Sequence, residues 1–173
     1  MIKAGWSPKY LSFWGHRAKS GSTIGKHVLS QWWNCRFEVD GIVYLSAEHY
    51  MMAEKARLFD DVDAQRRILQ AASPGAAKAL GRGIRNFDEA VWEAARFDIV
   101  VRGNIEKFGQ NEVMHDYLLT TGEKVLVEAS PVDRIWGIGL ASDDPRAEDP
   151  AQWQGENLLG FALMQTRKIL CDC

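Results

Sequence analysis

Glu48 and Lys55 carry the first chemical signal. They stand seven residues apart in Glu48-His49-Tyr50-Met51-Met52-Ala53-Glu54-Lys55. On a helix that spacing puts both on one face about two turns apart, with Met52 between them. Two arrangements explain the pattern. One is an amphipathic helix with charges along its edges. The other is a carboxylate for acid/base work and an amine sharing an apolar pocket. Glu48 falls in the first turn, where the helix dipole favours its ionised form.

Three more clusters follow. Gly81-Arg82-Gly83-Ile84-Arg85 sets arginines among glycines. A guanidinium matches phosphate oxygens in pairs, although solvated arginines after a helix end give the same pattern. Arg102 and Lys107 add positive charge further along. The run Glu128-Ala129-Ser130-Pro131-Val132-Asp133-Arg134-Ile135-Trp136-Gly137-Ile138-Gly139 places a carboxylate, a tryptophan and glycines together. Asp133 and Trp136 could frame a ribose and a ring, with Gly137 admitting close backbone approach. A turn around a buried Trp is the alternative. In Gly155-Glu156-Asn157-Leu158-Leu159-Gly160, Asn157 suits a helix cap. The four histidines (His16, His27, His49, His115) and three cysteines (Cys35, Cys171, Cys173) show no metal-ligand spacing. The cysteines are expected to be incidental thiols, and neither a metal nor another cofactor is expected.

The elements that must position these groups are legible in outline. Residues 1–34 look irregular and are rich in Gly, Ser and Trp. Cys35 to Leu45 has two alternating runs around Asp40-Gly41, which predicts a tight hairpin. Ser46 predicts an N-cap for a helix over Ala47–Phe59, and a second helix follows over 61–72. Ser73-Pro74 opens a short helix to Leu80, ended by Gly81 and Gly83. Asp88 caps a helix in which Val91, Trp92, Ala95, Ile99 and Val100 recur at near-helical spacing, to about Phe108. Gln110–Thr121 predicts another helix. Lys124–Glu128 predicts a short strand, and Asn157–Leu170 a last helix. Between them, residues 129–155 hold three of the five prolines and read as a long ordered loop. The sum is a predominantly helical α+β fold with a small sheet.

Composition narrows the function classes. The 173 residues fit one domain. A hydrophobic fraction of 46% supports a large core, which excludes wholesale disorder. The net charge of −2 gives no strong field for duplex nucleic acid or an anionic membrane. No run is apolar enough for a membrane span, and Met1 to Trp6 lacks a signal-peptide core, so a cytoplasmic location is expected. Seven tryptophans suit either core filling or stacking on a flat ring.

Taken in order, several motifs resemble the NADAR, or YbiA-like, family. They are Ser46 to Lys55, Gly81-Arg82, Trp92, Lys107-Phe108, Leu119-Thr120-Thr121-Gly122, Val127-Glu128-Ala129-Ser130 with Asp133, Trp136-Gly137-Ile138-Gly139, and Gly155 to Gly160 with Leu163-Met164. The resemblance covers about residues 28–170, leaving 1–27 as an N-terminal extension of a single domain over 1–173. Where the family pattern has Leu-Ser-Asn-Phe, this chain has Leu29-Ser30-Gln31-Trp32.

The resemblance implies a compact, mainly helical α+β domain with N-glycosidase activity. Two substrates are implied: a riboflavin-pathway ribosylaminopyrimidine phosphate, or guanine carrying ADP-ribose. In both, ribose C1 is bonded to an exocyclic nitrogen. Glu48, Lys55 and Asp133 would be catalytic, with Lys55 able to attack C1 and form a Schiff base. Trp92 or Trp136 would stack on the base, and Arg82, Arg85 or Arg102 would take phosphate. Gly137 and Asn157 complete the implied substrate-binding set. The partner is then a small ribose-phosphate nucleoside-like molecule or ADP-ribosylated nucleic acid, and not a membrane. The alternative is a non-catalytic module that binds ADP-ribose or NAD. Such a module needs stacking and arginines, but no carboxylate–amine pair.

Overall fold

The computed structural model describes residues 8–17, 21 and 23–172; Met1 to Trp6, which entered the location argument, and Cys173 lie outside the described residues. In chain order, β1 is Tyr10–Phe13 and a 3-10 turn covers Lys26–Leu29. Strands β2 (Phe37–Val39) and β3 (Ile42–Tyr44) form an antiparallel hairpin. Helices α1 (Ala47–Leu58), α2 (Val62–Leu69), α3 (Pro74–Gly81), α4 (Glu89–Gly109) and α5 (Glu112–Thr120) follow. Then come β4 (Val125–Glu128), two 3-10 turns (Pro145–Glu148 and Pro150–Gln152) and α6 (Leu158–Cys171). The helical α+β class expected from the sequence is what is found. Among the described residues no helix is long and apolar enough to cross a membrane.

Local signals explain most element boundaries. Asp40 and Gly41 have φ of 51° and 80°, the left-handed pair that a two-residue hairpin requires. Ser46, Asp61, Ser73 and Asp88 each accept a hydrogen bond from the backbone N–H three residues on, capping α1 to α4.

Residues 1–34 are not uniformly irregular. Strand β1 runs parallel to β4, pairing Tyr10 with Val125 and Phe13 with Glu128. The partners are more than 100 residues apart, so no local pattern announces the strand. The 129–155 segment is ordered, and it packs Ile138, Leu140 and Ala147 with Val127 and Ala129 into a small second core.

Helix α1 is the centre of the molecule. Nine of its twelve residues are buried, Glu48 and His49 among them, so it is not an amphipathic helix with charged edges. It is covered by α2, α3 and α4, while α6 packs between α4 and β4. Where α1 crosses α4, a Cβ on Gly103 would overlap the ring of Tyr50. Glycine inside a helix costs about 1 kcal/mol relative to alanine, and here it permits the close crossing. Gly103→Ala should therefore destabilise the fold by about 1–3 kcal/mol through overpacking, despite its better helix propensity. Urea unfolding tests this, and an unchanged or raised midpoint would contradict it.

Candidate active site

A cavity of about 700 Å³ opens where α1, α3, the 30–32 segment and the loop after β4 meet. That is ample for a nucleotide-sized ligand. Glu48, Lys55, Arg82, Trp92, Asp133 and Trp136 all line it. So do Glu128, Lys78, Gln31 and Trp32, which were not singled out as site residues.

Glu48 is held from several sides. Its backbone N–H donates to the Gln31 carbonyl at 3.0 Å. The next residue, His49, anchors the start of α1. Its Nε2 lies 3.0 Å from the Ala71 carbonyl, which can only accept, so Nε2 carries the proton. The Ser46 hydroxyl then donates to Nδ1 at 2.7 Å. The Glu48 side chain itself is 3% exposed, and its Oε1 has no hydrogen-bond partner among the described residues.

Burial pushes the Glu48 carboxyl up to about 7, with Asp133 adding to the rise against Lys78, Lys55 and Arg82. The helix dipole was expected to keep it ionised; loss of solvation outweighs that effect. Glu128 is pushed up to about 8, again by burial first, then by the charges of Asp133 and Glu48. Its Oε2 is also buried without a partner among the described residues. Charge on Glu48 disfavours ionisation of Glu128, so the pair holds on to a proton well above the usual carboxylate range.

Asn157 was expected as a cap and binding residue. It precedes α6 but makes no side-chain cap bond. Its φ of 54° turns the side chain onto β4 instead. There Nδ2 donates to the Leu126 carbonyl at 3.0 Å, and Oδ1 accepts from the Glu128 N–H at 3.0 Å. It therefore positions Glu128 and does not line the cavity. Gly137 does not line it either. A Cβ there would stand 2.8 Å from the Glu128 carbonyl oxygen and 3.0 Å from that of Asp133, so its role is close backbone packing.

Asp133 ties down its own turn. Its Oδ1 accepts from Ile135 N–H at 2.9 Å and Trp136 N–H at 2.8 Å, bonds that leave the second carboxylate oxygen unused among the described residues. Lys55 Nζ donates to the Gly81 carbonyl at 3.0 Å and stands 5.5 Å from the Trp92 ring centre. Burial lowers its pKa, opposed by Glu48.

Arg85 and Arg102 lie outside the cavity. Arg85 bonds Asp61 at 2.9 Å and holds that carboxyl below the usual carboxylate range. Arg102 makes a bidentate pair with Asp40, at 2.9 and 2.7 Å, across the hairpin turn. Neither is offered to a phosphate; Arg82, Lys78 and Lys55 are the basic groups on the wall. The tryptophans divide. Trp14, Trp32, Trp92 and Trp136 line the cavity, whereas Trp33 packs at a tilt against His27 and Trp153 donates to the Ala147 carbonyl. Among the described residues no three His, Cys, Asp or Glu side chains converge as a metal site.

These features define a small α+β protein with a carboxyl-lined, aromatic-walled ligand cavity. A family model described as the NADAR domain matches residues 12–171, and the chain belongs to that family. It is 42% identical over 165 residues to an N-glycosidase of Acanthamoeba polyphaga mimivirus, covering 92% of this chain and 95% of that protein. It is 32% identical over 142 residues to a riboflavin biosynthesis protein of Vibrio vulnificus, covering 82% of this chain but 35% of that longer protein. The NMR structure of the E. coli protein YbiA shares the fold, with a TM-score of 0.76 and 24% identity, covering 99% of this chain and 90% of that chain.

The raised Glu48 pKa has a consequence for stability. Unfolding returns the group from about 7 to an ordinary value near 4.5. Its contribution to stability is full below about pH 4.5 and is lost as pH rises through about 7. Glu48→Gln removes the buried charge. It should raise the urea midpoint at about pH 8, with the gain shrinking toward about pH 4.5. A variant less stable than the wild type at the higher pH would contradict this.

Proposed function

We propose that the chain is an N-glycosidase that hydrolyses the bond between C1 of a phosphorylated ribose and an exocyclic base nitrogen. The observation that carries this is the pair of buried carboxyls, Glu48 and Glu128, which line one cavity and each carry an oxygen without a partner among the described residues. The names of the mimivirus and Vibrio relatives support it.

Hydrolysis needs a proton for the departing nitrogen and a base for the incoming water. With both carboxyls raised, the protonated member of the pair is the acid and the ionised member is the base, which also stabilises positive charge developing at C1. The C1–N bond breaks with its electron pair going to nitrogen, and water supplies the new hydroxyl on C1. Asp133 accepts from a ribose hydroxyl through its unused oxygen. Lys78 and Arg82 meet the phosphate, and an aromatic wall holds the base. Lys55, with its lowered pKa, can serve in either of two ways. As a neutral amine it attacks C1 of the opened sugar, the C1–N bond to the base breaks with protonation of the departing amine, and water hydrolyses the resulting Schiff base to free the lysine; as a cation it orients the ribose phosphate.

The substrate is a small nucleoside-like phosphate. A ribosylaminopyrimidine phosphate suits a cavity of about 700 Å³ and the net charge of −2 better than a long polyanion. ADP-ribosylated guanine carries the same kind of bond and is the other substrate to test.

Incubation with both compounds should release ribose 5-phosphate or ADP-ribose. Glu48→Gln should cut kcat by about 10²-fold or more without unfolding the protein. No turnover of either compound, or normal turnover by the variant, would overturn the proposal. Borohydride during turnover separates the roles of Lys55: a sugar adduct on Lys55 marks covalent attack, and normal turnover by Lys55→Ala excludes it.

A further inference from the structure

Gln31 is 7% exposed on the cavity wall, and most of it is already committed. Its backbone carbonyl accepts from Glu48 N–H at 3.0 Å. Its Oε1 accepts from Asn104 Nδ2 at 3.0 Å. Asn104 is fully buried on α4, and the same Nδ2 donates to the Val100 carbonyl at 2.9 Å. A backbone carbonyl only accepts, so that atom of Asn104 must be the nitrogen. The Gln31 atom facing it must then be the oxygen. This leaves the Gln31 Nε2 amide, which makes no hydrogen bond among the described residues. That amide is not closed off in the interior, so its two donors are open to an acceptor on the occupant of the cavity that Gln31 lines.

The next residue on that wall is Trp32. Its ring centre is 5.9 Å from that of His16 and 5.9 Å from Lys78 Nζ. It rests against Gly75, where an added Cβ would come within 3.4 Å of the ring. Gln31 and Trp32 line the same cavity, so a flat base stacked on Trp32 would share that wall with the Gln31 amide. The other cavity groups suit other parts of a ribose phosphate. Carboxylates accept from hydroxyls, and Lys and Arg take phosphate. A neutral donor beside an aromatic ring suits a neutral acceptor on a base.

We infer that Gln31 selects the leaving base by donating its amide to a ring carbonyl of a heterocycle stacked on Trp32. The inference rests on the N-glycosidase activity proposed above and names what that site requires of its base. Gln31 is one methylene longer than the Asn of the family pattern, so in this chain the donor stands further from the backbone.

The probes are two non-cleavable analogues of a ribosylaminopyrimidine 5-phosphate, with CH₂ in place of the exocyclic nitrogen. One keeps the ring carbonyls and the other has hydrogen in their place. Each is titrated calorimetrically against wild type, Gln31→Met and Gln31→Glu. Wild type should bind the carbonyl analogue about tenfold or more tightly than the other. Gln31→Met should bind both within about twofold, and bind the carbonyl-free analogue as wild type does. Gln31→Glu keeps the acceptor for Asn104 and loses the donors, so it should lose the preference too; it carries the test if the Met variant does not fold. A preference that survives in either folded variant overturns the inference. Equal weakening of both analogues overturns it as well, because Gln31 would then only hold the wall. Turnover of the cleavable parent compounds by wild type is measured alongside. Its absence overturns the proposed activity, whereas wild type that turns over the parent compound but binds both analogues equally overturns the role of Gln31 alone.

Discussion

The buried carboxyl of Glu48 is the constraint around which the rest of the structure is arranged. Taking a carboxylate out of water is costly, and among the described residues no ion pair within hydrogen-bonding reach offsets it. The protein instead holds the group near the point where it can gain or lose a proton. That requires a rigid setting. Ser46 and His49 fix the first turn of α1 to the Ala71 carbonyl, and Gln31 takes the Glu48 N–H. Lys107, buried on α4, fixes the segment bearing Gln31 by donating to the carbonyls of Val28 and Ser30 at 2.7 and 2.9 Å. A second buried charge thus holds the wall beside the first.

Glu128 is the counterpart on the opposite layer, and its setting depends on backbone pairing rather than helix geometry. Parallel pairing with β1 fixes one edge of β4, and the Asn157 side chain occupies the other. Gly160 lies so close to Leu126 and Asn157 that any side chain there would collide with both. The loop that follows returns its carbonyls to the start of α6: Ile135 and Trp136 accept from Leu158 and Leu159. One ordered loop therefore caps a helix and presents Asp133 and Trp136 to the cavity. Fold stability and site geometry draw on the same bonds, while the two buried carboxyls work against stability once ionised.

Much of this was legible because it was local. The Asp40-Gly41 turn, the caps at Ser46, Asp61, Ser73 and Asp88, and the shared face of Glu48 and Lys55 all follow from short-range spacing. What could not be read depended on partners distant in sequence. Strand β1 needs β4, and the Asn157 side chain needs a strand edge rather than a helix end. Arg85 and Arg102 looked available to phosphate until Asp61 and Asp40 were brought beside them. Glu128 did leave a trace, as a carboxylate ending a short apolar strand. Gln31 left one too, as a departure from the family pattern. Neither residue's burial nor its idle atoms could be inferred without the chain folded around it.

The central claim is that two carboxyls, Glu48 and Glu128, remain protonated far above the usual range. Carbon-13 NMR titration of the glutamate carboxyls, assigned through Glu48→Gln and Glu128→Gln, measures this directly. The account predicts midpoints near about 7 for Glu48 and about 8 for Glu128. Titration of both at the ordinary value of about 4.5 would mean that neither can hold a proton for the departing nitrogen, and would contradict the account.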